Sequence, residues 1–238
     1  MLRTLYFYVT FYPFTLVCSL LTLFLSLFGA DCTHRFASFW GKGALLFAGI
    51  QIEIEGREHL PSSGPALFMA NHTSSFDIPT LYAGLPMQFR WLAKQELFDI
   101  PFFGTAMRRV GYIPIDRRDR KKSLQSLKEA AERIRSGTSV VIFPEGTRSD
   151  DGKLLPFKRG GFSLALQSGA PIVPVVILGS RNITPKGSLR VTAGKVSIRF
   201  LAPISTHNLN SDEQESLSDR VHAAIDAALQ ESHAAAVA

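Results

Sequence analysis

After residue 50, the pattern of hydrophobic and polar positions predicts a regular succession of strands and helices. Residues 51–55 alternate polar and apolar side chains, as a half-exposed strand does. Residues 66–70, 140–143 and 171–178 are nearly continuous apolar runs, which is typical of strands covered on both faces. Strands of this kind that alternate with helical segments predict an α/β fold with a mostly parallel central sheet flanked by helices.

Shorter patterns predict the remaining elements. Strands are predicted at residues 89–93 and 112–115, a late hairpin at residues 189–191 and 195–200, and helices at residues 77–82, 123–135, 157–168 and from residue 211 onward. The helix at residues 123–135 ends at Gly137 and carries an apolar stripe made of Leu124, Leu127, Ala131 and Ile134. The last helix is expected to begin with a capping box between Ser211 and Gln214.

The first fifty residues differ in composition from the rest of the chain. Residues 4–29 contain no charged side chain and are dominated by Leu, Phe and Tyr. As a helix this stretch would be about 39 Å long, compared with about 30 Å for the hydrocarbon core of a bilayer. Pro13 interrupts it, so the pattern favours a kinked helix.

Three interpretations compete for this segment. A cleaved signal peptide is disfavoured, because the apolar run is long and Arg3 is the only basic residue before it. A single helix that spans the membrane is the second. The third adds residues 36–50, which are apolar but too short and too broken to span, as a second helix embedded from the same side.

We favour the third interpretation, since basic residues flank the pair at both ends. The sequence therefore predicts a membrane-embedded helical segment at residues 1–50 and an α/β domain at residues 51–238. The domain is expected to lie on the cytoplasmic face of the membrane, which is the inner membrane if the protein is bacterial.

Composition and net charge restrict the classes of binding partner that the chain is expected to have. Hydrophobic residues make up 46% of the chain, and the formal net charge of +6 suits anionic lipid or a phosphorylated substrate. No nucleic-acid-binding motif or repeat is present, so nucleic acid is not expected as a partner. The two cysteines, Cys18 and Cys32, both lie in the apolar front, which fits a reducing cytoplasm and predicts neither a disulfide framework nor a Cys-ligated metal site.

Two polar segments follow predicted buried strands. NHTSSFD occupies residues 71–77 and places His72 five residues before Asp77, while FPEGTRS occupies residues 143–149. Ligand sites in open α/β sheets lie at the carboxyl ends of strands. A histidine held by a carboxylate is suited to act as a base, and an arginine beside a glycine is suited to bind an oxyanion.

These segments resemble motifs I and III of the glycerolipid acyltransferases. Residues 111–117 (GYIPIDR) resemble motif II, and residues 170–175 (APIVPV) resemble motif IV. The resemblance therefore covers residues 71–176, with four motifs in the family's order. It implies an enzyme with the family's α/β fold that transfers an acyl group from a thioester to an alcohol.

The resemblance also implies roles for individual residues. His72 is expected to remove the proton of the substrate hydroxyl, with Asp77 fixing its tautomer and stabilising the imidazolium. The spacing places His72 on the loop and Asp77 in the following turn. Arg148, with Gly146 and Thr147 before it, is the expected phosphate ligand. Glu145 is expected either to orient Arg148 or to bond the glycerol of the acceptor.

Further residues are implied less directly. Arg117 in motif II is expected to be a second phosphate ligand, while Lys94 and Lys158 match family stretches that add positive charge near the site. Three aromatic residues are candidates for lining the groove of the acyl chain, although core packing explains them nearly as well; they are Phe98, Phe102 and Phe103. No cofactor is implied, and the six histidines are too scattered to predict a metal site.

The sequence leaves more than one candidate for the acyl acceptor and for the acyl donor. The NH start of motif I and the PEGTR of motif III are similar to the enzymes that acylate lysophosphatidate at its 2-hydroxyl, and other lysophospholipids or a lyso-ornithine-type lipid are the alternatives. Acyl-CoA and acyl-carrier-protein donors are both compatible with these residues. A serine hydrolase is the nearest rival, since residues 161–165 (GFSLA) half match a nucleophile elbow, but the strand that should precede them is absent.

Overall fold

The computed structural model describes residues 1–116 and 118–237, and within these ranges the chain forms eight α-helices, seven strands and several 3₁₀ turns. The helices are α1 (Leu2–Leu25), α2 (Ala30–Ala48), α3 (Asp77–Gly84), α4 (Phe103–Val110), α5 (Arg120–Arg135), α6 (Arg159–Ser168), α7 (Ser180–Ile183) and α8 (Gln214–Val237). The strands are β1 (Ile50–Glu55), β2 (Leu67–Ala70), β3 (Phe89–Lys94), β4 (Ile113–Ile115), β5 (Ser139–Ile142), β6 (Ile172–Leu178) and β7 (Gly194–Phe200).

The described strands form one sheet in the order β1-β7-β6-β2-β5-β3-β4. Every neighbouring pair of them is parallel except β6 and β7, where Val175 lies opposite Phe200 in an antiparallel register. Strands β2 to β6 consequently point in one direction and end at the same edge. The predicted α/β fold with a mostly parallel sheet flanked by helices is confirmed.

Both faces of the sheet are covered, which explains why its central strands read as continuous apolar runs. In β2, Phe68 and Ala70 point into one core together with α2, α3 and α4, whereas Leu67 and Met69 point into a second core beneath α5, α6 and α8. Alternate residues of β5 and β6 divide between the two cores in the same way. The sheet therefore lies between two layers of helices.

The first fifty residues form a helix pair that packs against this body. The Arg3 guanidinium near the start of α1 donates to the carbonyl of Ala48 at the end of α2 (3.0 Å), so the two helices are antiparallel. Helix α2 packs against α3, and α1 packs against both α2 and α4. In the described part of the chain, one helical stretch, Leu2–Phe28, is long and apolar enough to cross a bilayer by length and composition.

The predicted start of α5 is wrong by one turn. Asp119 caps the helix by accepting hydrogen bonds from the N–H groups of Lys121 and Lys122, so the helix begins at Arg120 inside the basic run. Leu127, Ala131 and Ile134 are buried as expected, but Leu124 is 48% exposed. The prediction of a buried Leu124 was therefore wrong.

Two further predictions near the C-terminus are corrected. Among the described residues, the hairpin lacks its first strand, and β7 pairs instead with β1 and β6, which lie far away in sequence. The capping box before α8 is one residue earlier than expected, because Asn210 and Glu213 exchange the two side-chain to backbone bonds. Local patterns located strand β7 and the start of the last helix. They did not show that β7 pairs with the distant strands β1 and β6, or that Asn210 and not Ser211 caps the helix.

Candidate active site

The two polar segments lie side by side where two neighbouring strands end. Strands β2 and β5 are parallel partners, with Met69 opposite Ile142. The segment with His72 follows β2, and the segment with Glu145 follows β5. Because parallel neighbours end at one edge, residues more than seventy positions apart in sequence meet there.

His72 and Asp77 form a hydrogen-bonded pair. The Nδ1 atom of His72 lies 2.7 Å from Oδ2 of Asp77, and the same oxygen accepts hydrogen bonds from the N–H groups of Thr73 (2.8 Å) and Ser74 (2.9 Å). Asp77 is the first residue of α3 and is fully buried, whereas the His72 side chain is 15% exposed. A carboxylate oxygen can only accept, so Nδ1 carries the proton and Nε2 keeps its lone pair for a substrate.

Glu145 supports the backbone of His72. Its Oε1 accepts a hydrogen bond from the N–H of His72 (2.6 Å), and its Oε2 accepts one from the N–H of Leu155 (3.0 Å). The residue is 2% exposed. With both oxygens engaged under the loop, this position matches neither of the predicted roles, orienting Arg148 or bonding the acceptor. The sequence could not show this, because it depends on how two loops cross.

The environment of Glu145 gives a pH prediction. Burial raises the pKa of its carboxyl to about 7, with the nearby Asp77 adding to the rise and the two backbone N–H groups opposing it. The folded protein therefore holds a proton that the unfolded chain, with a pKa of 4.5, has released. This contribution to stability is complete below pH 4.5 and is lost as the pH rises through about 7.

We expect the free energy of unfolding to fall by up to about 3 kcal/mol from this group between about pH 5 and about pH 8. In Glu145→Gln, which cannot titrate, that part of the fall disappears. Denaturation midpoints of both proteins across this range provide the measurement. Parallel curves for the two proteins would contradict the raised pKa.

The loop of His72 is held by three further contacts. The side-chain amide of Asn71 donates to the carbonyl of Ile177 (3.0 Å) and accepts from its N–H (2.7 Å), so it extends the pairing between β2 and β6 by one position. The N–H of Ser149 donates to the carbonyl of His72 (2.8 Å). Both backbone groups of His72 are thus fixed, one by Glu145 and the other by Ser149. Ser74 is buried and donates its hydroxyl to the carbonyl of Thr184, as expected of a loop serine rather than a nucleophile.

An aromatic stack lies behind the imidazole, and the sequence analysis missed it. The rings of His72 and Phe143 are 3.9 Å apart and nearly parallel, and the ring of Trp91 stacks against Phe143 at 5.5 Å. The stack prevents the imidazole from tilting while Asp77 prevents it from turning. An aromatic residue at the end of β5, directly before the polar loop, was the available signal.

The four basic residues predicted to bind substrate differ in their position relative to the cavity in front of His72. Arg148 and Lys94 both border the cavity in front of His72, and within the described residues Arg148 has no ion-pair partner whereas Lys94 pairs with Glu96 (3.0 Å). Lys158 packs its aliphatic stem against Gly146. Arg117 lies outside the described residues.

Gly146 has two reasons to be glycine. Its φ of +73° is a left-handed conformation that side chains disfavour, and a Cβ atom there would lie 3.2 Å from Cε of Lys158. The residue borders the cavity, as Thr147 does. The turn therefore brings backbone close to the cavity beside Arg148.

A cavity of about 760 Å³ extends from His72 into the protein. It lies between β3, α3 and α4 on one side and the helix pair on the other, and Phe7, Phe11 and Trp40 of α1 and α2 contribute to its wall. Of the three aromatic candidates for the acyl groove, Phe103 lines it. Phe98 is buried in the core, which was the alternative for these residues, and Phe102 is 52% exposed, so neither lines this cavity.

The far end of the cavity is formed by the last turn of α4 and by two tyrosines. Helix α4 ends at Val110, and the following Gly111 lies next to Arg90 near the start of β3. Because β3 starts at the edge of the sheet opposite His72, Val110 lines the cavity at the end away from His72. The hydroxyl groups of Tyr82 and Tyr112 bond to each other there. Burial raises the pKa of both tyrosines, so the end of the cavity is neutral. The interior is thus an uncharged, mainly apolar space whose charged groups lie at its opening.

The hydrolase alternative does not fit the described structure. Ser163 lies inside α6 and its hydroxyl accepts a hydrogen bond from Gln167 on the same helix (2.9 Å). The nucleophile elbow requires a strand before its serine, and α6 is preceded by a loop instead.

Comparison with known proteins places these features in context. A family model described as Acyltransferase matches residues 51–178, which is slightly more than half of the chain. The chain is 40% identical over 173 residues to the chloroplast 1-acyl-sn-glycerol-3-phosphate acyltransferase of Arabidopsis thaliana, a match that covers 72% of this chain and 48% of the plant protein. It is 37% identical over 174 residues to the alpha 1-acyl-sn-glycerol-3-phosphate acyltransferase of Homo sapiens, covering 73% of this chain and 62% of the human protein.

The match therefore spans about half the length of the chloroplast relatives from Brassica napus and Arabidopsis thaliana. One solved structure matches this chain over nearly its whole length. The crystal structure of the 1-acyl-sn-glycerophosphate acyltransferase of Thermotoga maritima superposes with a TM-score of 0.85 at 29% identity, over 98% of this chain and 95% of that one.

Proposed function

Because this chain belongs to the acyltransferase family, we propose that it transfers a fatty acyl group from a thioester to the 2-hydroxyl of 1-acylglycerol-3-phosphate, giving phosphatidic acid. The donor is acyl-CoA or acyl-carrier protein. One observation carries the proposal: the His72–Asp77 pair stands at the opening of an apolar cavity, beside an arginine with no ion-pair partner in the described residues. A base, a chain-sized space and an anion ligand are what this reaction requires.

The proposed mechanism needs no serine of the enzyme. Nε2 of His72 removes the proton of the substrate hydroxyl as that oxygen attacks the thioester carbon. The buried carboxylate of Asp77 stabilises the imidazolium that results. When the tetrahedral intermediate collapses, the carbon–sulfur bond breaks and the imidazolium returns its proton to the departing thiolate. The products are the ester and the free thiol.

In this proposal Arg148 holds the phosphate of the acceptor through two parallel hydrogen bonds, with Lys94 adding charge at the same opening. Gly146 and Thr147 bring backbone close to the bound headgroup. Glu145 acts through His72 instead of touching substrate, and Lys158 contributes long-range charge. Arg117 remains a candidate second ligand on the strength of its motif.

The cavity is proposed to take an acyl chain, since its volume is within the roughly 300–1,000 Å³ typical of ligand sites and its wall is mainly apolar. This gives a prediction for Val110 at its far end. Val110→Phe is expected to favour shorter chains and Val110→Ala longer ones, by about fourfold in kcat/KM for each methylene that gains or loses its place. Product analysis with a mixture of acyl-CoA lengths measures the shift. Unchanged product distributions in both variants would place the chain elsewhere.

Residues 1–50 are proposed to attach the protein to one face of the membrane. Large apolar and aromatic side chains are exposed at three- or four-residue intervals along α1, namely Leu5, Val9, Tyr12, Leu16, Leu20 and Phe24. Both ends of α1 are nevertheless tied to the α/β body. Thr4 bonds to Val191 at one end, and Asp31, just past the other, forms an ion pair with Arg90 (2.7 Å).

A helix about 36 Å long with both ends on the same body lies along the bilayer surface more readily than across it. This supports the one-sided helix pair over the single span. The α/β body is proposed to lie on the cytoplasmic face, as the sequence analysis predicts.

A direct assay tests the proposed function. Purified full-length protein is incubated with labelled acyl-CoA or acyl-carrier protein and a panel of lyso-acceptors, and the products are resolved by mass. Phosphatidic acid from wild type and none from His72→Ala is the expected result. Transfer to another lysophospholipid or to a lyso-ornithine lipid, without transfer to lysophosphatidate, would replace the proposed acceptor. No acyl transfer to any acceptor would refute the proposal as a whole.

A further inference from the structure

Exposed large apolar side chains are few outside the helix pair. Among the described residues beyond α2 they are Ile100, Phe102, Leu124 and Leu189, with 45%, 52%, 48% and 76% exposure. Leu124 lies on α5, on the far side of the sheet from the helix pair. The other three lie on two loops near the opening of the cavity, which we call the Phe102 loop (residues 100–102) and the Leu189 loop (residues 184–193).

Both loops adjoin α1. The Phe102 loop leads directly into α4, which packs against α1, and Phe103 at its end lines the cavity. The Leu189 loop is bonded to the start of α1, because the N–H of Val191 donates to Oγ1 of Thr4 (3.1 Å), and Thr184 at its other end also borders the cavity. The two loops thus flank the cavity, each with an apolar side chain that points away from the protein core.

Phe102 is held outward by a strained turn. Its φ is +60° and its ψ is −51°, a conformation that bulky residues rarely adopt. The N–H of Phe103 donates to the carbonyl of Pro101 (2.6 Å), and the N–H of Gly104 donates to that of Ile100 (2.8 Å). A Cβ on Gly104 would lie 2.0 Å from the carbonyl oxygen of Phe98, so only glycine closes this turn. A strained residue that also exposes an aromatic ring indicates a function in which the ring gains a partner.

Basic side chains accompany both loops. Arg190 is exposed and directly follows Leu189. Arg108, half exposed, donates to the carbonyl of Phe98 beneath the Phe102 loop (2.7 Å). An apolar tip with an arginine behind it matches the profile of a lipid leaflet, where acyl chains lie below anionic headgroups.

We propose that the Phe102 and Leu189 loops are two further membrane contacts, which insert on either side of the cavity opening and complete a three-part surface with the exposed face of α1. The inference rests on the proposed function, since an acceptor that is itself a lipid must pass from the leaflet into the cavity without crossing water. With three apolar segments around the opening, the leaflet meets it directly. The proposed partner is the bilayer, and the experiment below distinguishes it from a second copy of the chain or a carrier protein.

Fluorescence quenching tests the contact. Full-length Phe102→Trp, Leu189→Trp and the matched control Leu124→Trp are bound to phosphatidylglycerol–phosphatidylcholine vesicles that contain lipids brominated on the acyl chain, with the native Trp40 and Trp91 as a common background. We expect the two loop variants to lose about twofold more emission than the control. Quenching by aqueous acrylamide alone would show that the loops face water, and shielding from both quenchers would show a protein partner. Either result overturns the proposal.

An activity measurement separates this inference from the proposed function. The double variant Phe102→Asn with Leu189→Ser is compared with Leu124→Ser on long-chain lysophosphatidate in vesicles and on a short-chain, water-soluble analogue. We expect kcat/KM in vesicles to fall about tenfold for the double variant only, with no change on the soluble analogue. An equal loss on both substrates would make the loops structural and refute the contact. If wild type acylates neither substrate, the proposed function fails, while the quenching result still decides whether the loops touch lipid.

Discussion

Replacing His72 with alanine is expected to lower turnover by about 10²–10⁴-fold, the usual range for a lost general base. The variant keeps the fold, because the contacts that fix residue 72 use its backbone: its N–H bonds to Glu145 and its carbonyl to Ser149. Steady-state rates with acyl-CoA and lysophosphatidate measure the effect, and circular dichroism and membrane pelleting check the fold. Turnover within about threefold of wild type in a folded variant would remove His72 from the mechanism.

Asp77→Asn is the informative companion to this variant. A single oxygen of Asp77, Oδ2, accepts from Nδ1 of His72 and from the N–H groups of Thr73 and Ser74, so the amide oxygen of asparagine can keep all three bonds but lacks the negative charge that stabilises the imidazolium. We expect a smaller loss than in His72→Ala, since the ring remains. A loss equal to that of His72→Ala, together with a lower melting temperature, would show that Asp77 acts mainly by holding the turn.

Arg148→Ala is expected to lower kcat/KM for lysophosphatidate by roughly 10–150-fold, the equivalent of losing a charge-assisted hydrogen bond worth about 1.5–3 kcal/mol. The loss should appear mainly in KM for the acceptor, with little change in KM for acyl-CoA. Lysine at this position should restore only part, because it keeps the charge without the two-pronged geometry. Arg159, which is 87% exposed on α6, provides the matched control for loss of one positive charge.

The phosphate decides how this result is interpreted. Monoacylglycerol has the same hydroxyl and chain but no phosphate, so Arg148→Ala and wild type should acylate it at similar rates. An equal loss with both acceptors would mean that Arg148 organises the loop and does not bind phosphate.

The sequence predicted the parts of the site that are local. His72 and Asp77 are five residues apart, and the turn that joins them forms from its own hydrogen bonds. The two motifs come together because buried parallel strands end at one edge, which apolar runs are sufficient to predict. Glu145 was placed near the site but with the wrong partner, since nothing in its neighbourhood in sequence shows that its carboxylate meets the N–H of residue 72.

Contacts between distant segments account for the other differences. Periodicity shows that residues 189–191 are partly apolar, but the same pattern suits a strand and a loop tip that reaches lipid. It likewise shows that Phe7 and Phe11 share one face of α1, without showing whether that face meets lipid or protein. Both rings pack toward the α/β body, and pattern alone could not distinguish that from a bilayer.

Helix α1 packs against the α/β body on one face and is proposed to meet lipid on the other, and this bears on how the protein can be handled. Its inner face closes the cavity, so removing residues 1–50 to obtain a soluble fragment would open the site to water and leave the apolar surfaces of α3 and α4 uncovered. A detergent that peels α1 from the body would inactivate the protein in the same way, with the sheet intact and His72 still bonded to Asp77. Activity lost during extraction would then mean that α1 had left the wall of the cavity, and activity would return when lipid allowed α1 to pack against the body again.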